Sequence, residues 1–518
     1  MMIIEIFKNE NKIFINKEIY TADHLVLEGI IFPVSGHIIS KETINRFDGD
    51  IQRIIKGKYI AFYQEKNKKK IFLINDWLSK MPIYYYNSES LFIASNNFLD
   101  VVELCKKRGL KLTPSLYGLY FALTMSGMCG DYTHFEEIKY LNRFCRIEFD
   151  DKYNLTIKTK NPTNINYRSR DSIIEKLGEL FNNALIAYHQ YNLNNHYDDF
   201  YTISGGMDSR MVLLNSLKLG IKPKKCLSYS IGGSIDDIVS SKICNDNKLD
   251  LYFIDITKGL FLNNFDKAIS MNGGQQIYCG STGAILLNLN HSEWLCDNKG
   301  SPIIFCGLLG GELLAFEKTD KRPQYPYISN YSFFDNIVNC LNSQKLKSRD
   351  VFIENNTRLC QNLMFQLADC GTVLSPFMDE DFYECTLSIK PSLLKGRKLY
   401  KQWMNKTVPN NYVTTYDKSK IKDNKVTIFI NRLKDKIMRK IKGKTIFDMV
   451  SFDEWLKDKD TGNVINALYE NLISNVGDCL PILSEDFKKI YSSADSKTKL
   501  SLLTYLGVIN YEKMCSIH

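Results

Sequence analysis

Cysteine is sparse in this chain of 518 residues: fourteen are scattered along it, with no C-x-x-C pair and none beside a histidine at zinc-ligand spacing. A disulfide framework and a structural zinc site are therefore not expected. The thiols read as reduced, mostly buried small apolar residues of a cytoplasmic protein. The seven histidines are equally dispersed. Long apolar runs are missing too, none approaching the roughly 18 residues that a spanning helix needs. Met1-Met2-Ile3-Ile4-Glu5-Ile6-Phe7-Lys8 meets charge too soon for a signal-peptide core, so neither membrane spanning nor ordinary secretion is expected. Internal repeats and low-complexity tracts are absent. Disorder is excluded by composition, since 44% of residues are hydrophobic and 24% charged. The length suggests about two to four domains.

Acidic residues are scarce in one place. Lys395–Lys444 holds 16 Lys or Arg against Asp417, Asp423 and Asp435, a local +13 in a chain of net +9, which leaves −4 for the rest. Such basicity favours an anionic ligand or surface. Residues 426–442 set Ile430, Leu433, Ile437 and Ile441 on one helical face. That stripe packs on a domain or lies on an anionic membrane, so peripheral contact stays open. No motif supports nucleic-acid binding. The cluster Lys66–Lys70 reads as a solvated hairpin tip.

The first 160 residues read as strands. Tyr59–Tyr63 and Lys70–Asn75 flank a polar tip, Ile83–Tyr86 and Leu91–Ala94 flank another, and Phe144–Phe149 with Leu155–Thr159 forms a closing hairpin. Asn161-Pro162-Thr163-Asn164 marks a linker. From Asp171 the period becomes helical, with Asp171-Ser172 as the expected cap. Strand and helix then alternate: strand Phe200–Ile203, helix Ser209–Leu219, strand Cys226–Ile231, helix Asp236–Asn247, strand Leu251–Ile256. That alternation predicts a parallel sheet covered on both faces. Past about residue 380 the pattern is mostly helical.

The most informative segment is Phe200-Tyr201-Thr202-Ile203-Ser204-Gly205-Gly206-Met207-Asp208-Ser209-Arg210. A buried strand ends in a small glycine-rich loop that opens straight into a helix. Glycines admit an oxyanion to backbone N–H groups, and a helix N-terminus adds partial positive charge. Ser204 and Ser209 offer hydroxyl donors, and Asp208 a carboxylate suited to Mg²⁺ on a phosphate. The plain alternative is a strand–helix turn that needs glycine.

This segment resembles the pyrophosphate loop of the ATP pyrophosphatase superfamily, in its asparagine synthetase branch. Ser234-Ile235-Asp236-Asp237 is similar to that family's D-E helix start, and Cys306-Gly307-Leu308-Leu309-Gly310-Gly311-Glu312-Leu313-Leu314 to its S-G-E-G-x-D-E loop. Ser375-Pro376-Phe377-Met378-Asp379 matches P-F-L-D, and Lys398-Leu399-Tyr400 through Lys422 resembles the segment carrying a catalytic lysine. Asn75–Tyr85 resembles D-x-x-G-x-x-P-L-Y-Y of the family's glutaminase domain, Phe92-Ile93-Ala94-Ser95 its F-A-S, and Thr133–Leu141 its T-x-F-x-x-I-x-x-L. The resemblance spans residues from about 45 to 425.

It implies an α/β protein of three parts. Residues 1–165 would be a degenerate glutaminase-like domain, an N-terminal-nucleophile αββα sandwich. Residues 166–425 would be a doubly wound ATP-pyrophosphatase domain, and residues 426–518 a helical extension packed on it. ATP would lie along Ile203, Ser204, Gly205, Gly206, Asp208, Ser209, Ile231 and Gly307, with Mg²⁺ held by Asp208 and Glu312. Lys420, with Lys418 and Lys422 beside it, would stabilise anionic intermediates.

Two departures shape the expected function. The family's glutaminase uses a mature N-terminal cysteine, but here Met2 and Ile3 follow Met1 and the first cysteine is Cys105. Leu308 and Leu309 occupy the stretch that carries a glutamate acting on the incoming amine, so Glu317 or Tyr278 would have to serve as base. The expected function is ATP-dependent adenylation of a carboxylate on a small molecule or glycan, followed by amide formation with ammonia or an amine. An intramolecular lactam-forming cyclase and a non-catalytic ATP-binding scaffold are the alternatives. The substrate stays open, as does a homodimer.

Overall fold

The computed structural model describes residues 2–20, 25–34, 50–65, 70–162, 169–277, 284–295, 300–314, 331–343, 348–408 and 450–515. Period-two runs in the first third give β1 (Ile3–Phe7), β2 (Lys12–Ile15), β3 (Glu18–Ile19), β4 (Val26–Pro33), β5 (Ile55–Glu65), β6 (Lys70–Asn75), β7 (Tyr84–Asn87), β8 (Leu91–Ser95), β9 (Ile138–Tyr140), β10 (Cys145–Phe149) and β11 (Leu155–Thr159). They form two antiparallel sheets, ordered β3-β2-β1-β8-β7-β9 and β11-β10-β6-β5-β4. The three expected hairpins pair in register, Tyr63 opposite Phe72, Tyr85 opposite Ala94 and Ile147 opposite Ile157.

Ile4, Ile6 and Phe92 of the first sheet meet Ile60, Phe62, Leu73 and Ile147 of the second. Because side chains alternate across a strand, Tyr84 and Ile93 face the other way. There they pack under the helices Phe98–Lys107 and Leu116–Met125. On the outer side of the second sheet, the described residues place only the short turn Ile51–Arg53 over Tyr59, Ala61 and Ile74. One helical layer thus flanks the paired sheets among the described residues.

The long helix Arg170–Asn194 takes its N-cap at Ser169, two residues before the expected Asp171-Ser172. The Ser169 hydroxyl accepts from the Ser172 N–H, and the Ser172 hydroxyl accepts from the Ser169 N–H, so a reciprocal capping box sets the start. Then follow β12 (Phe200–Thr202), β13 (Lys225–Ser230), β14 (Leu251–Asp255), β15 (Ile303–Phe305) and β16 (Thr372–Leu374), all parallel, in the order β14-β13-β12-β15-β16. The apolar runs Phe200-Tyr201 and Ile303-Ile304-Phe305 are fully buried, as strands covered on both faces must be. Helices Met207–Lys218 and Ile235–Asp246 make the crossovers. The chain winds from β12 out to β14 and later returns to lay β15 on the other side. The order therefore reverses between β12 and β15, which opens a crevice at their carboxyl ends.

Two expectations about the outer parts change. The helices Lys459–Val476 and Ser496–Met514 do not pack only on the parallel-sheet half. The middle of Ser496–Met514, residues 500–509, is buried on every side, Leu500, Leu502, Leu503, Leu506 and Val508 among them. It shares one core with Phe98, Val101 and Leu119 of the first third and with Phe265 and Ile269 of the second, and the Tyr505 hydroxyl donates to Ser115 O at 2.9 Å. The boundary near 165 is likewise no boundary of cores, since Ile30, Phe32, Trp77, Leu78 and Phe144 belong to the core beneath the parallel sheet. Most described cysteines, Cys226, Cys244 and Cys306 among them, are buried free thiols.

Candidate functional site

Ile203 extends β12 by donating its N–H to Leu227 O of β13 at 2.9 Å, with its side chain buried in the core. Ser204, Gly205 and Gly206 then turn the chain into Met207–Lys218. Gly206 is the N-cap, extended at φ −67°, and no side chain caps the helix. The first-turn N–H groups and their partial positive charge thus lack a side-chain acceptor. The two expected hydroxyl donors work inside the loop. Ser209 Oγ accepts from Ser204 N at 3.1 Å and lies 3.0 Å from Ser204 Oγ, which accepts from Gly206 N at 3.1 Å.

The neighbouring crossover braces this loop. Gly205 N–H donates to Asp236 Oδ1 at 2.8 Å. Asp236 stands in the first turn of Ile235–Asp246, whose N-cap Ser234 accepts from Asp237 N. Burial pushes the Asp236 carboxyl up, and its Oδ2 is buried without a hydrogen-bond partner. The 234–237 motif located this helix start from sequence, but not the bond to Gly205. Ile231, at the end of β13, is buried in the core shared with the C-terminal helices.

The opposite wall leaves β15 at Cys306. A Cβ on Gly307 would stand 2.4 Å from Ser209 N and 2.5 Å from Asp208 C, so the two loops touch where only glycine fits. A Cβ on Gly310 would stand 2.8 Å from Asp208 Cγ. Gly311 N–H donates to Asp208 Oδ2 at 2.8 Å, and the Tyr400 hydroxyl donates to Asp208 Oδ1 at 2.6 Å. Burial first, then the charge of Glu312, pushes Asp208 up to about 7. Glu312 rides on the short helix Gly310–Leu314. Between them Leu309 is buried at φ +75°, and Leu308 O accepts from Ser375 Oγ at 2.8 Å.

The fold therefore gathers Ser204–Ser209, Asp236, Gly307–Glu312 and Tyr400 at the switch point. Tyr400, on the helix Lys398–Thr407, was not singled out from sequence as a site residue. Lys418, Lys420, Lys422, Glu317, Tyr278 and the basic stretch 426–442 lie outside the described residues. Among the described residues, no three of His, Cys, Asp and Glu form a metal-holding group. Asp208 and Glu312 are the two carboxylates of this crevice that could hold a divalent cation.

No cysteine lies on β1–β8. Met2 N–H donates to Asn96 Oδ1 at 3.0 Å. Cys105 lies buried on Phe98–Lys107, where burial pushes its thiol up to about 12, out of the range of a nucleophile. A scan of the chain against protein-family models finds no match, and a search of curated proteins finds none either.

Proposed function

We propose that the chain is an asparagine synthetase-like ligase that adenylates a carboxylate with ATP and forms an amide, releasing AMP and pyrophosphate. In this reading the paired sheets are an αββα N-terminal-nucleophile domain that has lost its nucleophile. The observation that carries the proposal is the convergence, at the switch point of a parallel sheet, of an uncapped glycine-rich helix start with the carboxylates of Asp208 and Glu312.

The triphosphate would lie against Ser204–Ser209. Mg²⁺ held by Asp208 and Glu312 would neutralise charge on the departing pyrophosphate. Tyr400 and Gly311 each hold one Asp208 oxygen, so the carboxylate cannot swing away from the phosphates. The substrate carboxylate attacks the α-phosphorus and pyrophosphate leaves. An amine nitrogen then attacks the acyl carbon, AMP leaves, and the amine gives up a proton. A lysine such as Lys420 would stabilise the anionic intermediate. With no glutaminase thiol, nitrogen comes from free ammonia, a partner protein or an amine substrate.

ATP–pyrophosphate exchange tests this reading, run with Mg²⁺ and a panel of aspartate, uronic acids and carboxylated peptides. The expected result is exchange that depends on one carboxylate and falls to background in Asp208→Ala. A product without added nitrogen would indicate intramolecular ring closure. ATP binding with no exchange across the panel would reduce the protein to a scaffold, and failure to bind ATP would sink the reading.

A further inference from the structure

Lys58 lies on β5 two residues before Ile60, and so on the strand face that Ile60 and Phe62 turn into the sandwich core. It is only 6% exposed. A buried ammonium requires a carboxylate or an equivalent set of acceptors. Its neighbours have theirs. Lys56 Nζ stands 3.2 Å from Asp379 and 2.6 Å from Asp381, and Lys80 Nζ donates to Met378 O at 3.1 Å. Among the described residues, Lys58 Nζ has neither a hydrogen bond nor an ion pair; it stands over the Phe365 ring, 4.7 Å from the centroid.

The lysine opens on a cavity of about 620 Å³ between the ends of the two antiparallel sheets and the edge of the parallel one. Met81 and Phe98 line one side, Phe365 and Thr372 the other. The remaining charges around it are settled. Lys267 and Asp369 pair with each other at 2.6 Å, and Glu28 has an interaction of its own. Asp76, Cys306 and Lys80 act on Lys58 only through their fields. Asn97 already caps the adjoining helix Phe98–Lys107 by accepting from Leu99 N, so that helix start is no free cradle for a phosphate. The cavity has the size of a small-molecule site, a lysine ammonium with no hydrogen bond or ion pair among the described residues, and walls in which apolar side chains alternate with polar ones such as Asn96, Ser270 and Asn362.

We propose that this cavity binds a small organic acid, its carboxylate paired with the Lys58 ammonium and its carbon skeleton against Phe365, Met81 and Phe98. The site is separate from the Asp208 crevice and does not rest on the ligase reading. Burial pulls Lys58 down to about 8 from its ordinary 10.5, which still leaves it mainly protonated at neutral pH. Between those values the folded chain holds fewer protons than the unfolded one. The cost of the bare cation is therefore full below about pH 8 and fades as pH rises toward about 10.5.

The test uses calorimetric titration of the full chain, free of nucleotide, with phenylacetate, succinate and inorganic phosphate. We expect saturable binding of at least one carboxylate, one per chain, weakened roughly tenfold or more in Lys58→Met and kept within a few-fold in Lys58→Arg. Unliganded Lys58→Met should melt above wild type near neutral pH, with the gap closing by about pH 10. Equal binding by wild type and Lys58→Met, binding of phosphate alone, or no binding together with a Lys58→Met that melts below wild type would each overturn the assignment.

Discussion

Asp208 is held by two donors, Gly311 N–H and the Tyr400 hydroxyl, yet burial and the neighbouring Glu312 push it up to about 7. Two carboxylates facing one crevice repel unless a cation comes between them. The folded protein thus keeps a proton on Asp208 that the unfolded chain has released from about pH 4 upward. Ionising it costs stability, with no penalty at the acid end, a growing one toward pH 7 and the full one above. Asp208→Asn should therefore melt higher than wild type at about pH 8, by roughly 1 kcal/mol or more, and match it near pH 4. Thermal unfolding at the two pH values checks this, and a lower melting point at the alkaline one would refute it. Leu309 shows a different residue-level tension. It occupies φ +75°, and a bulky residue in that region signals backbone strain.

At the scale of elements, the turn after β6 and the segment Pro376–Met378 form one unit. Asp76 accepts from the N–H groups of Leu78, Lys80 and Met81, fixing the turn, and Lys80 Nζ reaches Met378 O at 3.1 Å while lying 3.8 Å from Asp76. Phe377, in the middle of that segment, packs against Gly310 beside Asp208. A lysine of the first third is thus bonded to the segment that packs beside Asp208. Burial pushes the carboxyls of both Asp76 and the adjoining Glu380 up, and Lys80 offsets both, 3.8 Å from Asp76 and 4.0 Å from Glu380. Lys80→Met should cost about 3 kcal/mol, the scale of a buried charge left without its partner, read from urea unfolding. A change well under 1 kcal/mol would show that the ion pair contributes nothing net.

At the scale of the molecule, the halves share cores, while residues 163 and 164 of the expected linker lie outside the described residues. Trp77 and Phe144 sit in the core under the parallel sheet, and Ser496–Met514 covers both the outer helices of the first third and Phe265 of the second. No described helix is long and apolar enough to cross a membrane. A chain ending at residue 449 would expose Phe98, Leu119 and Phe265 together, an apolar patch of the kind that soluble chains avoid. We expect such a truncation to bind a hydrophobic dye and to lose cooperative unfolding. A native-like sharp transition in the truncated chain would disprove the shared-core account.

The hairpins named in the first third, the strand–helix alternation after residue 200 and the glycine-rich turn were legible from sequence, because each is written in a local period or a local backbone demand. The same local reading put the cap of Arg170–Asn194 at Asp171-Ser172, whereas the reciprocal bonds between Ser169 and Ser172 place it at Ser169. Only the tertiary structure decided the rest. Tyr400 meets Asp208 across 192 residues, and Lys80 meets Met378 across 298. Lys58 carries no local mark that separates it from any other strand lysine, and its isolation exists only because two sheet ends and a third sheet's edge enclose it. Contacts between distant residues follow from packing geometry, which neither spacing nor periodicity encodes.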